Sequence, residues 1–236
     1  MFFEESFETR PSDYDSRGRL SLEAILNILE TSGSHHTEAV KDRVSDGHVS
    51  WIMADWRVAI ERYPVRPEPL RVRTWVKAPA SVSSVDRMFT VRDTEGSILI
   101  RASARLAQID LRDNRLLRIS PELSASYAPE AEDVFSGKAP RLRESSVSGT
   151  ESRLHIRRSD VDFNRHVHNT KYACYAVEAL PEEAFRNETF SSFRAAFHAP
   201  LKYGGDGVIR CSRTDSGYSF AIYDGERLCT LMELGY

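Results

Sequence analysis

Two short stretches of this chain echo one another, and that echo limits the possible folds more than any other feature. RPSDYD begins at Arg10 and RRSDVD at Arg157; Arg10, Ser12, Asp13 and Asp15 recur as Arg157, Ser159, Asp160 and Asp162, each 147 positions later. Each stretch leads into an apolar segment that closes on a glutamate, Glu30 in the first and Glu178 in the second. A polar signature repeated ahead of matching apolar segments marks a duplicated unit.

The apolar segments read as helices. Ser21 is placed to cap one whose apolar positions, Leu22, Ile25, Leu26 and Leu29, follow the i, i+3, i+4, i+7 rule. The second runs from about Thr170 to Leu180, where Tyr172 to Val177 are apolar in succession, the pattern of a helix buried nearly all round. Elsewhere the period is two. WIMADWRVAIERY (51–63) sets Ile52, Ala54, Trp56, Val58 and Ile60 against Asp55, Arg57 and Glu61, and LRVRTWVK (70–77) and SILIRASARLAQI (97–109) alternate in the same way. RYPVRPEP (62–69), DTEG (93–96) and Asp224-Gly225 supply turns between such strands. Residues 119–150 lack sustained periodicity and are rich in Ser, Pro, Glu and Gly, as a linker is.

Each unit is therefore expected to be a strand, a loop, one long buried helix and an antiparallel sheet that wraps it, an α+β fold. The boundaries read as an N-terminal domain over 1–122, a linker over 123–150 and a C-terminal domain over 151–236. A length of 236 residues accommodates one large domain or two small ones, and the duplication favours two. The net charge of −3 argues against nucleic-acid binding by charge alone. No apolar run approaches the ~18 residues that a membrane span needs. MFFEESFETR lacks the basic start and long apolar core of a signal peptide, so a cytoplasmic protein is expected. Cys174, Cys211 and Cys229 are odd in number and widely spaced, which fits neither a disulfide framework nor a metal pattern.

The differences between the copies point to chemistry. After the second aspartate the first copy reads SRGRL and the second FNRHV, so Asn164 and His166 stand in one copy only. Three readings compete for RRSDVDFNRHVHN (157–169). Helix capping explains the aspartates, which both copies have, but not the added pair. A metal site would use Asp162, His166 and His168, with no third nitrogen or sulfur ligand at a recognisable spacing. Catalysis would use His166 for proton transfer, Asn164 to orient it or a substrate carbonyl, and Asp162 to fix a tautomer or activate water. The backbone amides of Val167 and His168, at a helix start, would hold an oxyanion. No serine or cysteine in the stretch is placed as a nucleophile, so direct attack by water is the natural route.

At this point the chain resembles the acyl-acyl carrier protein (acyl-ACP) thioesterases of plants and bacteria. The anchors are WIMADWRVAIERYP (51–64), LRVRTWV (70–76), RASARLAQID (101–110), RISPE (118–122) and above all RRSDVDFNRHVHNTKYACYAVEALP (157–181). The resemblance implies two tandem hot-dog domains and hydrolysis of fatty acyl-ACP to free fatty acid and carrier protein, with no cofactor. It places the family's catalytic Asp, Asn and His on Asp162, Asn164 and His166. The family, its plant members above all, also has a Glu followed by a Cys after the second helix. Ungapped alignment puts Pro200 and Leu201 at those positions, so a thiol mechanism is not expected here.

Acyl carrier proteins are acidic, and the chain carries basic residues beside the motif. From Lys138 to Ala173 there are eight basic residues against four acids. Arg157, Arg158, Arg165 and Lys171 are the expected docking residues. The acyl chain needs an apolar channel, to which Trp51, Trp56 and Trp75 of the first unit are expected to contribute. An acyl-CoA thioesterase and a non-catalytic acyl-binding protein of the same architecture are the alternatives. Association of two such chains into a homodimer is left open.

Overall fold

The computed structural model describes residues 1–44, 47–65, 68–78, 82–205 and 207–236. The chain divides into two compact units, Met1–Lys138 and Ala139–Tyr236, so the division falls within the stretch expected to be a linker.

In the first unit β1 (Phe3–Phe7) precedes helix α1 (Leu22–Ala39), and β2 (Val49–Ile60), β3 (Leu70–Val76), β4 (Ser84–Arg92) and β5 (Ile98–Asp110) follow. These strands form an antiparallel sheet in the order β1-β3-β4-β5-β2, with the short β6 (Arg115–Leu116) on β5 and helix α2 (Pro121–Ser126) after it. The second unit has β7 (Thr150–Arg153), α3 (Lys171–Glu178), α4 (Glu182–Asn187), β8 (Ser192–Phe197), β9 (Gly207–Thr214), β10 (Gly217–Asp224) and β11 (Arg227–Gly235). Its antiparallel order is β7-β9-β10-β11-β8, the first unit's order strand for strand. The fold is α+β, two hot-dog domains in one chain.

Register fixes which side chains meet. Trp56, Val58 and Ile60 of β2 lie opposite Ala104, Ala102 and Ile100 of β5, and all six are buried. The alternation fails before them. A register shift between Met53 and Asp55 adds one residue to β2, which reverses sidedness, and Ile52, expected inside, is 38% exposed. Helix α1 packs on the sheet through Gly33, where an added Cβ would lie 3.3 Å from Arg87 Cδ and 3.8 Å from Phe89 Cζ. Ser21 caps the helix, its hydroxyl accepting the Ala24 N–H at 3.1 Å.

The two helices depart from expectation in opposite directions. Glu30 does not end α1, which continues to Ala39. The expected second helix is shorter and broken: α3 stops at Glu178, Pro181 interrupts, and α4 begins at Glu182. Proline has no N–H to continue the ladder and forces the preceding residue out of helical geometry.

Part of the aperiodic stretch is ordered against the first sheet. Trp75 Nε1 donates to the Glu132 carbonyl at 3.0 Å, Lys77 pairs with Asp133 at 2.5 Å, and the Arg57 guanidinium lies 3.7 Å from the Phe135 ring centre. Such cover is built from backbone groups and single side chains, so it leaves no periodic trace in sequence.

Candidate active site

The echoed hexapeptides fold into the same turn. The Asp160 N–H donates to the Arg157 carbonyl at 3.0 Å, and the Arg157 N–H donates back to the Asp160 carboxylate at 2.9 Å; Asp13 and Arg10 do the same at 2.9 and 2.7 Å. Next comes a five-residue loop. The Asp162 N–H donates to the His166 carbonyl at 2.9 Å, as Asp15 does to Arg19 at 2.8 Å. The Asp162 carboxylate accepts the N–H groups of Asn164 (2.8 Å) and His166 (3.3 Å), and the Asp15 carboxylate accepts those of Arg17 (2.9 Å) and Arg19 (3.0 Å). One aspartate oxygen thus satisfies two backbone donors that the tight turn would leave unpaired. The fourth loop residue has a left-handed backbone in both copies, Gly18 at φ 73° and Arg165 at φ 62°.

Identical backbones carry different side chains. In the first unit Arg19 reaches back to the Asp15 carboxylate at 3.1 Å. In the second, Asn164 Nδ2 donates to Asp162 Oδ2 at 3.3 Å. His166 meets Asp162 only through its backbone N–H and carbonyl, and among the described residues no group is hydrogen-bonded to its imidazole. Asn164 is exposed, while Asp162 and His166 are half-buried.

The two amides expected to hold an oxyanion are engaged elsewhere. Val167 donates to the Leu201 carbonyl at 2.9 Å and His168 to the Asp160 carbonyl at 2.8 Å. Leu20 and Ser21 of the first unit make the equivalent bonds, to Pro64 and Asp13, each at 2.9 Å. These bonds belong to the scaffold, and an amide donating to a carbonyl at such distances offers no free hydrogen to a ligand. The His168 ring lies 3.0 Å from the Thr170 hydroxyl, ahead of α3. His35 and His36 also face apart: His35 pairs with Glu5 at 2.7 Å, whereas His36 is buried and accepts from Arg87 at 3.0 Å. Among the described residues no group of three His, Cys, Asp or Glu side chains could hold a metal ion.

Residues behind the loop were not legible as part of the site. Asp160 is buried and accepts the Tyr175 hydroxyl at 3.0 Å. Burial opposes its charge, but the Arg157 amide, the Tyr175 hydroxyl and the Arg157 guanidinium prevail and hold the carboxyl below its usual range. Tyr172 is buried too, and its hydroxyl, pushed up to about 12 by burial, accepts the Leu201 N–H at 3.1 Å. Leu201, at the position aligned with a cysteine, is therefore a fully buried splice joining the loop to α3 through both of its backbone groups. Pro200 is exposed and its carbonyl accepts from Arg227 at 3.4 Å. The one available signal was the spacing of Tyr172 and Tyr175, which sets both hydroxyls on one helix face.

The expected docking residues have distinct surroundings. Arg157 is paired with Asp160, Arg158 donates to the Tyr203 hydroxyl at 3.3 Å, Arg165 is exposed, and Lys171 is half-buried at the start of α3.

Comparison with known proteins identifies the family. The acyl-ACP thioesterase N-terminal domain matches residues 1–127 and the acyl-ACP thioesterase C-terminal domain matches residues 143–223. A chloroplastic dodecanoyl-[acyl-carrier-protein] hydrolase of Umbellularia californica is 26% identical over 235 residues, covering 93% of this chain and 61% of that protein. A chloroplastic oleoyl-acyl carrier protein thioesterase of Arabidopsis thaliana is 23% identical over 204 residues, covering 78% of this chain and 56% of that protein. The chain thus spans about 61% of the length of the first of these curated relatives. Among solved structures, an acyl-ACP thioesterase from Bacteroides thetaiotaomicron superposes with a TM-score of 0.90 at 20% identity, covering 99% of this chain and 97% of that one. The 12:0-ACP thioesterase from Umbellularia californica does so with 0.85 at 23% identity, covering 99% and 96%. The chain belongs to the acyl-ACP thioesterase family.

Proposed function

We propose that the chain hydrolyses fatty acyl-ACP thioesters to free fatty acid and carrier protein, with the chemistry on Asp162, Asn164 and His166. One observation carries this reading. Two loops with the same backbone hydrogen bonds differ in their side chains, and only the second presents a carboxylate, an amide and an imidazole together.

Water attacks the thioester carbonyl. The His166 imidazole takes its proton and returns one to the departing thiolate, and the C–S bond breaks as the acyl carbon becomes a carboxyl. The Asp162 carboxylate orients the water and holds the loop. Asn164 Nδ2 has two hydrogens; one serves Asp162 and the other donates to the carbonyl oxygen as charge builds there. This role passes to Asn164 because the Val167 and His168 amides are engaged. Leu201, in place of a thiol, supplies no nucleophile, which fits direct attack by water.

Exposed cations beside the loop, Arg158 and Arg165 foremost, would steer an acidic carrier protein to it. The three cysteines, none of them in a disulfide among the described residues, fit a reducing compartment such as the cytoplasm. The domain boundaries 1–122 and 151–236 remain our reading of the duplicated unit.

The test is release of free thiol from a panel of acyl-ACPs of varied chain length, set beside the CoA ester of each chain. Hydrolysis of the carrier-protein esters supports the proposal. Stoichiometric binding without thiol release would refute it, and faster turnover of the CoA esters would transfer it to that carrier.

A further inference from the structure

The tip of the loop carries a side chain that the fold does not use. Phe163, between Asp162 and Asn164, is 94% exposed, the most exposed large hydrophobic residue among those described. The matching position of the first loop is Ser16, and that loop closes with the same backbone hydrogen bonds. A phenyl ring is therefore no requirement of the turn. An aromatic side chain held in water on a well-formed loop gains nothing for the folded monomer and is typical of an interface anchor.

The surroundings say what such an anchor meets. Arg165, two residues on, is exposed, and its left-handed backbone fixes where it leaves the loop. Arg158, in the turn that precedes the loop, lies over the Tyr203 ring at 5.8 Å and donates to its hydroxyl at 3.3 Å, and Tyr203 is itself 53% exposed. The loop cluster thus combines one apolar tip with cations and a half-exposed tyrosine, while the chain as a whole is net negative at −3. Such a surface complements a partner that is acidic and has a small apolar spot within its acidic field.

We propose that Phe163 is the apolar anchor for the acidic carrier protein, seating between its carboxylates while Arg158 and Arg165 pair with them. This rests on the function proposed above and adds to it. Phe163 decides how firmly the carrier docks and takes no part in the bond-breaking step. Because it neighbours Asp162 and Asn164, a carrier seated on it delivers its thioester arm beside the loop.

Phe163→Ser, which installs the residue of the first loop, tests the idea with a folded scaffold built in. The Michaelis constant for acyl-ACP should rise about tenfold or more with kcat nearly unchanged, and that for an acyl-pantetheine of equal chain length should move less than twofold. Binding of unacylated carrier protein, followed by fluorescence anisotropy, should weaken to the same degree. An unchanged Michaelis constant on an active wild-type enzyme would overturn the anchor and leave the hydrolase standing. Equal losses on both substrates would overturn it as well, because Phe163 would then act in the fold or the chemistry. Conversion of a dimer to monomer by the same substitution, seen by analytical ultracentrifugation, would assign Phe163 to a second copy of the chain instead. A wild-type enzyme inactive on every acyl-ACP would refute the hydrolase itself, and the anchor with it.

Discussion

In a His166→Arg variant the second loop acquires the side chain that the first loop already carries at the same place. Arg19 accommodates itself there by pairing with Asp15 at 3.1 Å, with side chains 19% and 27% exposed. An Arg at 166 can reach Asp162 in the same way. Pairs this close to solvent are worth ~0–1 kcal/mol. In a chain of this length 1 kcal/mol moves Tm by about 2–4 °C, so the variant should melt within a few degrees of wild type. The chemistry should not survive. An always-charged guanidinium cannot take a proton from water, and loss of a general base costs ~10²–10⁴ in rate, equivalent to about 3–5 kcal/mol of transition-state stabilisation. The assay is single-turnover thiol release from saturating acyl-ACP, alongside a thermal melt. A folded variant with turnover within threefold of wild type would falsify the assignment of His166, however well the loops superpose.

Four further outcomes follow from the same geometry. Raising the ionic strength from 50 to 300 mM should raise the Michaelis constant for acyl-ACP and leave that for acyl-pantetheine unmoved; equal responses would count against electrostatic docking. Cys174→Ser should keep most of its turnover, since nothing in the proposed route uses a thiol; an inactive, folded variant would restore a thiol nucleophile. Tyr175→Phe removes a hydrogen bond to the buried Asp160 carboxylate and should destabilise the chain by ~1–3 kcal/mol in urea titration, with an unshifted midpoint as the contrary result. His36, whose proton affinity is lowered from 6.5 to about 4 by burial and then by Arg87, stays neutral when folded over a range where the unfolded chain is protonated. Its contribution is therefore complete above about 6.5 and lost as pH falls towards 4, on the order of 1–3 kcal/mol. Wild type should lose more stability than His36→Gln between pH 7.5 and 4.5, and parallel profiles would contradict this.

How much of this was legible in the sequence depends on which interactions repeat. The offset between Arg10 and Arg157 forecast two copies of one turn, because a carboxylate that caps its own loop needs fixed spacing and nothing distant. Alternation in β2 identified Trp56, Val58 and Ile60 but not the register shift at Met53, which changes sidedness without changing composition. Helix α1 outran its apolar pattern because its last turns hold a polar cluster in which Arg87 meets His36 and Thr37, and Tyr127 meets Thr37 as well. Periodicity of hydrophobic residues cannot report such a cluster. At the candidate site, the contrast between copies singled out the three side chains proposed for the chemistry. The engagement of the Val167 amide was not legible, since it depends on Leu201, more than thirty residues downstream, and that of the His168 amide follows from the turn that brings back the Asp160 carbonyl.

The self-capped loop has a consequence for how such a chain could be altered. Its backbone is closed by one aspartate and one left-handed residue, and the backbone hydrogen bonds of that closure are the same whichever side chains occupy the second, third and fifth positions. The loop is in effect a socket with interchangeable fittings. Nature has filled one copy with Ser16, Arg17 and Arg19 and the other with Phe163, Asn164 and His166 on the same mount. On the assignment proposed above, exchanging three side chains should remove or retune reactivity without redesigning the protein around them.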